Sequence, residues 1–248
     1  MRLTARREEI TLQIDRVRTY INNFDDNLQG GIPKGQVVLI TGTPGTMKSS
    51  LAYGILYHNA LQNRIPSVYM TLEQSRENLL QQMNTMGMDD ERAKEYVHVL
   101  DLGLIRKSLT QLSAKGTWLQ VFKMYADSLK HSLGYELLVV DSLDVLEMAA
   151  QMDENRRTEL FYLFEWLRNL GVTTLLVSET SPESMMEQKY DEGYLADGVI
   201  SLKLQEIGET DIQRRIRCVK LRSTNHKTGY FSLLFNDGSF SATQVITE

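Results

Sequence analysis

The stretch Gln36 to Ser50, QVVLITGTPGTMKSS, constrains the chain more than any other. Gln36 to Thr41 is a β-branched and aliphatic run. It passes without a break into Gly42, Thr43, Pro44, Gly45, Thr46, Met47, Lys48 and Ser49, then into the helix-prone Ser50, Leu51 and Ala52. The order is strand, glycine-bearing loop, helix. Such a loop gathers successive backbone N–H groups at one place, the helix dipole favours negative charge there, and a lysine adds a full positive charge. Phosphate binding is the chemistry that needs this arrangement, with the Ser49 hydroxyl offered to a Mg²⁺ that bridges the phosphates. The pattern G-x-x-x-x-G-K-[ST] is met at Gly42, Lys48 and Ser49. It departs at one position, where Met47 stands in place of a glycine.

A chain of 248 residues, 42% hydrophobic and 24% charged, is long enough to bury a substantial core. Its net charge of -5 offers no global attraction to nucleic acid or to an anionic membrane. Cys218 is the single cysteine, so no intramolecular disulfide forms, and a cytoplasmic location is expected. The opening residues, MRLTARREEITLQIDRV, lack the apolar segment of a signal peptide, and no apolar window is long enough to cross a bilayer.

Read in order, the sequence predicts strands at 36–41, 67–72, 97–102, 137–140, 172–177 and 198–204, with helices over 51–62, 75–86, 118–132 and 154–170. The segment 104–117 reads as a surface connection. The tail alternates over 212–221, turns at 225–229 and continues as a strand over 230–235, which is hairpin grammar. Strands alternating with helices, closed by a hairpin, indicate an α/β fold with a mostly parallel sheet and an antiparallel edge. With no linker or repeat, one domain over residues 1–248 is expected, with 1–20 as a lead-in.

Three constellations stand out. Asp141 follows the buried run Leu137 to Val140, so it lies at a strand C-terminus, where open α/β sheets bind ligands. It suits the acid that holds Mg²⁺; the alternative is an N-cap of the next segment. Ser142 is placed to join the same network. Glu73 closes the strand SVYMTL on the same edge and is the candidate base for water, a solvated strand-end glutamate being the plainer reading. Gln74 beside it can orient water but not take its proton. Lastly, Arg214, Arg215, Arg217, Lys220, Arg222, His226 and Lys227 crowd the tail. They read either as a solvated edge strand or, for Lys220 and Arg222, as cations offered to a neighbouring subunit's nucleotide.

Taken together, TGTPGTMKSS, VYMTLEQS, YELLVVDSLDVL, GVTTLLVSET and RRIRCVKLRSTNHKTGYFSLLF resemble, in this order, the RecA-like P-loop ATPases, and among them the KaiC-like proteins. The resemblance covers almost the whole chain after Arg16. It implies ATP and Mg²⁺ as ligands, Lys48 and Ser49 on the phosphates and metal, Glu73 as hydrolytic base and Asp141 as the second acid. It further implies Lys220 and Arg222 inserted into the adjacent protomer's site of a ring, commonly a hexamer. Gln74 replaces a second glutamate of the family and Met47 a loop glycine, so binding is better supported than turnover. Met47 is expected either to narrow the approach to the phosphates or to demand an unfavourable backbone angle. The expected function is a ring-forming ATPase whose slow hydrolysis serves as a switch, with a regulatory protein partner. A non-hydrolysing ATP-binding regulatory subunit is the alternative. A DNA-coating recombinase is disfavoured by the acid-rich segment after Val177, since cationic contacts supply most non-specific affinity for nucleic acid.

Overall fold

The computed structural model describes residues 14–104, 118–152, 155–179 and 192–245. A nine-stranded sheet organises them, and a short ribbon of β1 (Arg16–Val17) with β2 (Ile32–Pro33) precedes it. The parallel part contains β3 (Val37–Gly42), β4 (Ser67–Thr71), β5 (Val97–Asp101), β6 (Leu137–Asp141), β7 (Thr173–Glu179) and β8 (Gly198–Ile207). The antiparallel end adds β9 (Asp211–Leu221), β10 (Phe231–Asn236) and β11 (Ser239–Gln244), giving the order β11-β10-β9-β8-β3-β7-β6-β4-β5. The expected mostly parallel sheet with an antiparallel edge is therefore present.

Strands β3, β4 and β6 are buried along nearly their whole length without alternation because helices cover both of their faces. On one face α1 (Lys48–Asn63) and α2 (Arg76–Thr85) bury Leu51, Ile55, Leu79 and Met83 against Ile40, Tyr69 and Val139. On the other, Phe122 of α4 (Trp118–Leu133) and Leu160, Leu163, Phe164 and Leu167 of α6 (Arg156–Asn169) pack on Leu39, Val140 and Leu176. These four α6 residues are the ones whose spacing marked the helix. Ser75 caps α2 by accepting from Asn78 N, and Gly171, at φ 70°, follows the last turn of α6.

Several short elements were not anticipated: α3 (Glu91–Lys94), α5 (Leu143–Ala150), α7 (Glu192–Leu195) and β11. The expected antiparallel pairing in the tail is present but brief. The strands expected over 212–221 and 230–235 pair with each other at only two positions, Phe231 with Ile216 and Ser232 with Arg215. Strand β9 also runs along β8 over most of its length, and a tight hairpin lies between β10 and β11. Its turn is Asp237-Gly238, with φ 45° and 75°. Two successive positive φ values match the right-handed twist of hairpin strands, and Asp-Gly is a pair that tolerates them.

Strand β9 is also irregular. Val199 pairs with Lys220 but Ile200 with Cys218, so Val219 is an extra residue, a bulge. Leu221 joins Ile216 and Cys218 in the core beneath α1, and Lys220 turns the other way. Simple alternation would have put Lys220 and Arg222 on the Cys218 face. The segment 105–117 and most of the acid-rich segment after Val177, residues 180–191, lie outside the described residues.

Candidate nucleotide site

Strand β3 ends in Gly42, where a Cβ would stand 2.5 Å from Leu202 O and 2.9 Å from Thr46 Oγ1. Only glycine lets the chain leave the sheet at this point. The loop then folds on itself, with Thr46 Oγ1 and Lys48 Nζ donating to Thr43 O at 2.7 and 3.3 Å. Met47 stands at the N-cap of α1 with φ 71° and ψ 32°, in the left-handed region, while its side chain packs on the core beneath α1. Of the two consequences expected of this methionine, the backbone one is observed.

A hollow of about 400 Å³ opens in front of the loop. Pro44, Gly45, Met47, Lys48, Ser49 and Ser50 line it together with Glu73, Asp141 and Ser142, so residues far apart in sequence meet at the C-terminal edge of the sheet. The register explains the meeting. Thr71 pairs with Asp141, and Leu72 N donates to Asp141 O at 2.7 Å, which delivers Glu73 beside the end of β6. Ser142 Oγ donates to Glu73 Oε1. Gln74 does not line the hollow; its backbone closes a turn with the Thr71 side chain. Ser142, not Asp141, is the N-cap residue of α5.

Asp141 is almost fully buried. The Tyr69 hydroxyl donates to its Oδ2 at 2.5 Å, whereas Oδ1 is buried with no hydrogen-bond partner. Burial raises the carboxyl pKa; Tyr69 and the nearby Ser49 hydroxyl oppose the rise, Glu73 adds to it, and Lys48 opposes it, leaving it above the ordinary carboxylate value. Burial and the Asp141 charge push the Tyr69 phenol far up, so it remains a donor. A buried carboxylate oxygen left without a partner is costly, and a divalent cation beside Ser49 would satisfy it. The donor set, one hydroxyl and one carboxylate at a loop rich in backbone N–H groups, fits Mg²⁺ held between protein and phosphates.

Sequence reading missed some of the pocket. Tyr69 lies on the α1 face of β4 and was counted only as strand. Arg214, assigned to the charged tail, reaches the loop and donates from Nε to Gly45 O at 3.2 Å. Glu179 also lines the hollow, and its N–H donates to Asp144 Oδ2 of α5 at 2.8 Å. Lys220 and Arg222 are elsewhere. Leu221 between them pairs with Gly198, which pairs with Val38 near the start of β3, so they occupy the opposite edge of the sheet from the loop. Lys220 Nζ donates to the carbonyls of Gly193, Tyr194 and Ala196, and Arg222 Nη1 contacts Asp197 Oδ1 at 2.7 Å.

Strand order, loop and strand-end acids together define a RecA-like P-loop fold. The chain belongs to the KaiC ATPase family, whose sequence profile matches residues 17–239. It is 25% identical over 237 residues to the circadian clock protein KaiC2 of Synechocystis sp., matching 95% of this chain and 41% of that one. It spans roughly two-fifths of the length of the curated clock relatives it matches. A UPF0273 protein of Aeropyrum pernix is 30% identical, with 86% of this chain and 87% of that one aligned. The crystal structure of a KaiC-like protein from Pyrococcus horikoshii OT3 superposes with a TM-score of 0.77 at 27% identity, covering 93% of this chain and 99% of that one. No helix among the described residues is long and apolar enough to cross a membrane.

Proposed function

We propose that this chain binds Mg-ATP in the loop-lined hollow and hydrolyses it slowly, as the switch of a cytoplasmic ring of identical subunits. The observation that carries the reading is the unpartnered Oδ1 of Asp141, a residue that lines the same hollow as Lys48, Ser49 and Glu73. Lys48 and the backbone N–H groups of residues 43 to 50 would hold the phosphates, and Ser49 with Asp141 would hold Mg²⁺. The metal supplies charge neutralisation between the phosphates. Glu73, exposed at the mouth and oriented by Ser142, is the base for the attacking water.

A ring is supported by the placement of Lys220 and Arg222. They cannot serve their own pocket from the opposite sheet edge, but a head-to-tail neighbour would present that edge to it. A hexamer is the expected closure, and a regulatory protein is the expected reader of the switch.

The competing reading, ATP binding without turnover, is favoured by Gln74, which stays out of the hollow and leaves Glu73 as the base without a second carboxylate beside it. Phosphate release by the wild-type chain and by Glu73→Gln separates the two. The switch predicts slow release that falls at least a hundredfold in the variant, with ATP still raising the Tm of both. Binding with no release from wild type at any temperature sinks the enzymatic reading. Native mass with and without Mg-ATP tests the ring.

A further inference from the structure

The antiparallel end of the sheet carries a second hollow, of about 420 Å³, whose lining includes Lys203, Gln205, Arg215, Lys227 and Tyr230. Leu202 and Ile216 face the core beneath α1, so their strand neighbours Lys203 and Arg215 face the other way, outside the nucleotide site. The volume lies within the range of small-molecule sites, about 300–1,000 Å³.

The charge lining the hollow is one-sided, with Lys203, Arg215 and Lys227 and no acid among its lining residues. Lys203 and Arg215 sit directly opposite each other in the β8–β9 ladder, an arrangement that costs stability unless something neutralises it. Arg217 follows on the same face. Its guanidinium and Lys203 Nζ both lie over the Tyr230 ring, 4.6 and 4.1 Å from the centroid. Among the described residues, none of Lys203, Arg215, Arg217 and Lys227 forms an ion pair.

Two of the guanidinium groups are short of partners. Arg215 is only 7% exposed, and its one hydrogen bond to a described residue runs from Nη1 to the neutral Ser232 Oγ. Arg217 Nε is buried with no partner. Taking a cation out of water is expensive unless it is paired and hydrogen-bonded. A tetrahedral oxyanion in the hollow would accept from the Arg215 fork, which is the recognition arginine is built for, with Arg217 adding positive charge from behind Tyr230. Tyr230 and Ile207 supply apolar wall for an organic portion beside it.

We propose that this hollow binds a phosphate-bearing small molecule, of phosphomonoester type, at a site separate from the ATP pocket. The probes are ribose 5-phosphate and inorganic phosphate, titrated calorimetrically into Lys48→Ala protein so that the P-loop does not contribute. The expected result is one saturable site per chain for ribose 5-phosphate with Kd below about 1 mM, weakened at least tenfold in Lys203→Gln/Arg215→Gln, and no competition by excess Mg-ATP in wild-type protein. The doubly substituted chain, relieved of facing like charges, should melt no lower than its parent without ligand. If it fails to fold, the exposed Lys227→Gln should weaken the same binding at least threefold. Absence of saturable binding, binding indifferent to these substitutions, or displacement by Mg-ATP overturns the proposal. Equal affinity for inorganic phosphate restricts the site to the free ion and overturns the ester.

Discussion

Replacing Met47 by glycine and by alanine should reverse the usual order of these two residues. At φ 71° and ψ 32° Met47 adopts a conformation that costs an L-residue about 1–2 kcal/mol. Alanine keeps that cost, and glycine sheds it while gaining unfolded-state freedom worth about 0.4–1 kcal/mol. The difference favours glycine by about 0.5–1 kcal/mol. Both substitutions forfeit the same packing of a half-buried side chain on the core, about 1 kcal/mol if half of a full methionine burial is lost. Met47→Ala should therefore lie about 1 kcal/mol below wild type, and Met47→Gly close to it. At about 2–4 °C per kcal/mol for a chain of this size, alanine lowers Tm by about 2–4 °C and glycine by under about 2 °C. Urea denaturation followed by far-UV circular dichroism measures the order directly. Alanine equal to glycine, or more stable, refutes the left-handed assignment.

The other predictions concern buried polar contacts. Tyr69→Phe removes the donor to Asp141 Oδ2 and leaves a buried acceptor unsatisfied, so it should cost about 1–3 kcal/mol in urea denaturation; a neutral result contradicts the hydrogen bond. Because the folded Asp141 carboxyl has a raised pKa, the native state holds more protons than the unfolded state above the ordinary carboxylate range. This group therefore contributes destabilisation that grows as pH rises from the unfolded towards the folded value. Asp141→Asn should raise the ligand-free Tm at pH 7 but not at pH 3, and should abolish the Mg²⁺ dependence of ATP protection; a lower Tm at pH 7 counts against the assignment. Asp197, buried between Arg168 and Arg222 and accepting from Val37 N at 3.0 Å, anchors the start of β8. Asp197→Asn should cost about 2–4 kcal/mol, at the lower side of the range for breaking a buried pair because both arginines keep access to water; a loss under about 1 kcal/mol would show the network to be dispensable.

What was legible beforehand follows from which forces are local. Strands β3, β4 and β6 announce themselves because helices bury both faces, and α6 because one stripe of large apolar residues repeats at helical spacing. Lys48 and Ser49 were readable from the loop pattern, and Asp141 and Glu73 from their positions at strand ends. Strand β11, SFSATQ, is short and has only two apolar residues, Phe240 and Ala242, so its periodicity is too brief to separate it from loop. Helix α5 begins one residue after β6, where strand and helix share an aliphatic run. Tyr69 reaches Asp141, and Arg214 the phosphate loop, through cross-strand placement, which depends on register and is invisible to a one-dimensional pattern. The Asp237-Gly238 turn was legible in principle but was overshadowed by the glycine-containing turn expected at 225–229.

The bulge at Val219 makes the length of β9 matter more than its composition. Upstream of it, a residue may be exchanged for another of similar character and the strand keeps its phase. Deleting Val219 would join Cys218 directly to Lys220, and strict alternation would then keep Lys220 facing away and Leu221 in the aliphatic layer beneath α1. The three carbonyls that now receive Lys220 Nζ would keep their donor. A single-residue deletion at Val219 thus removes only the bulge, whereas one elsewhere in β9 with the bulge kept is a phase error that turns the residues on one side of it to the other face.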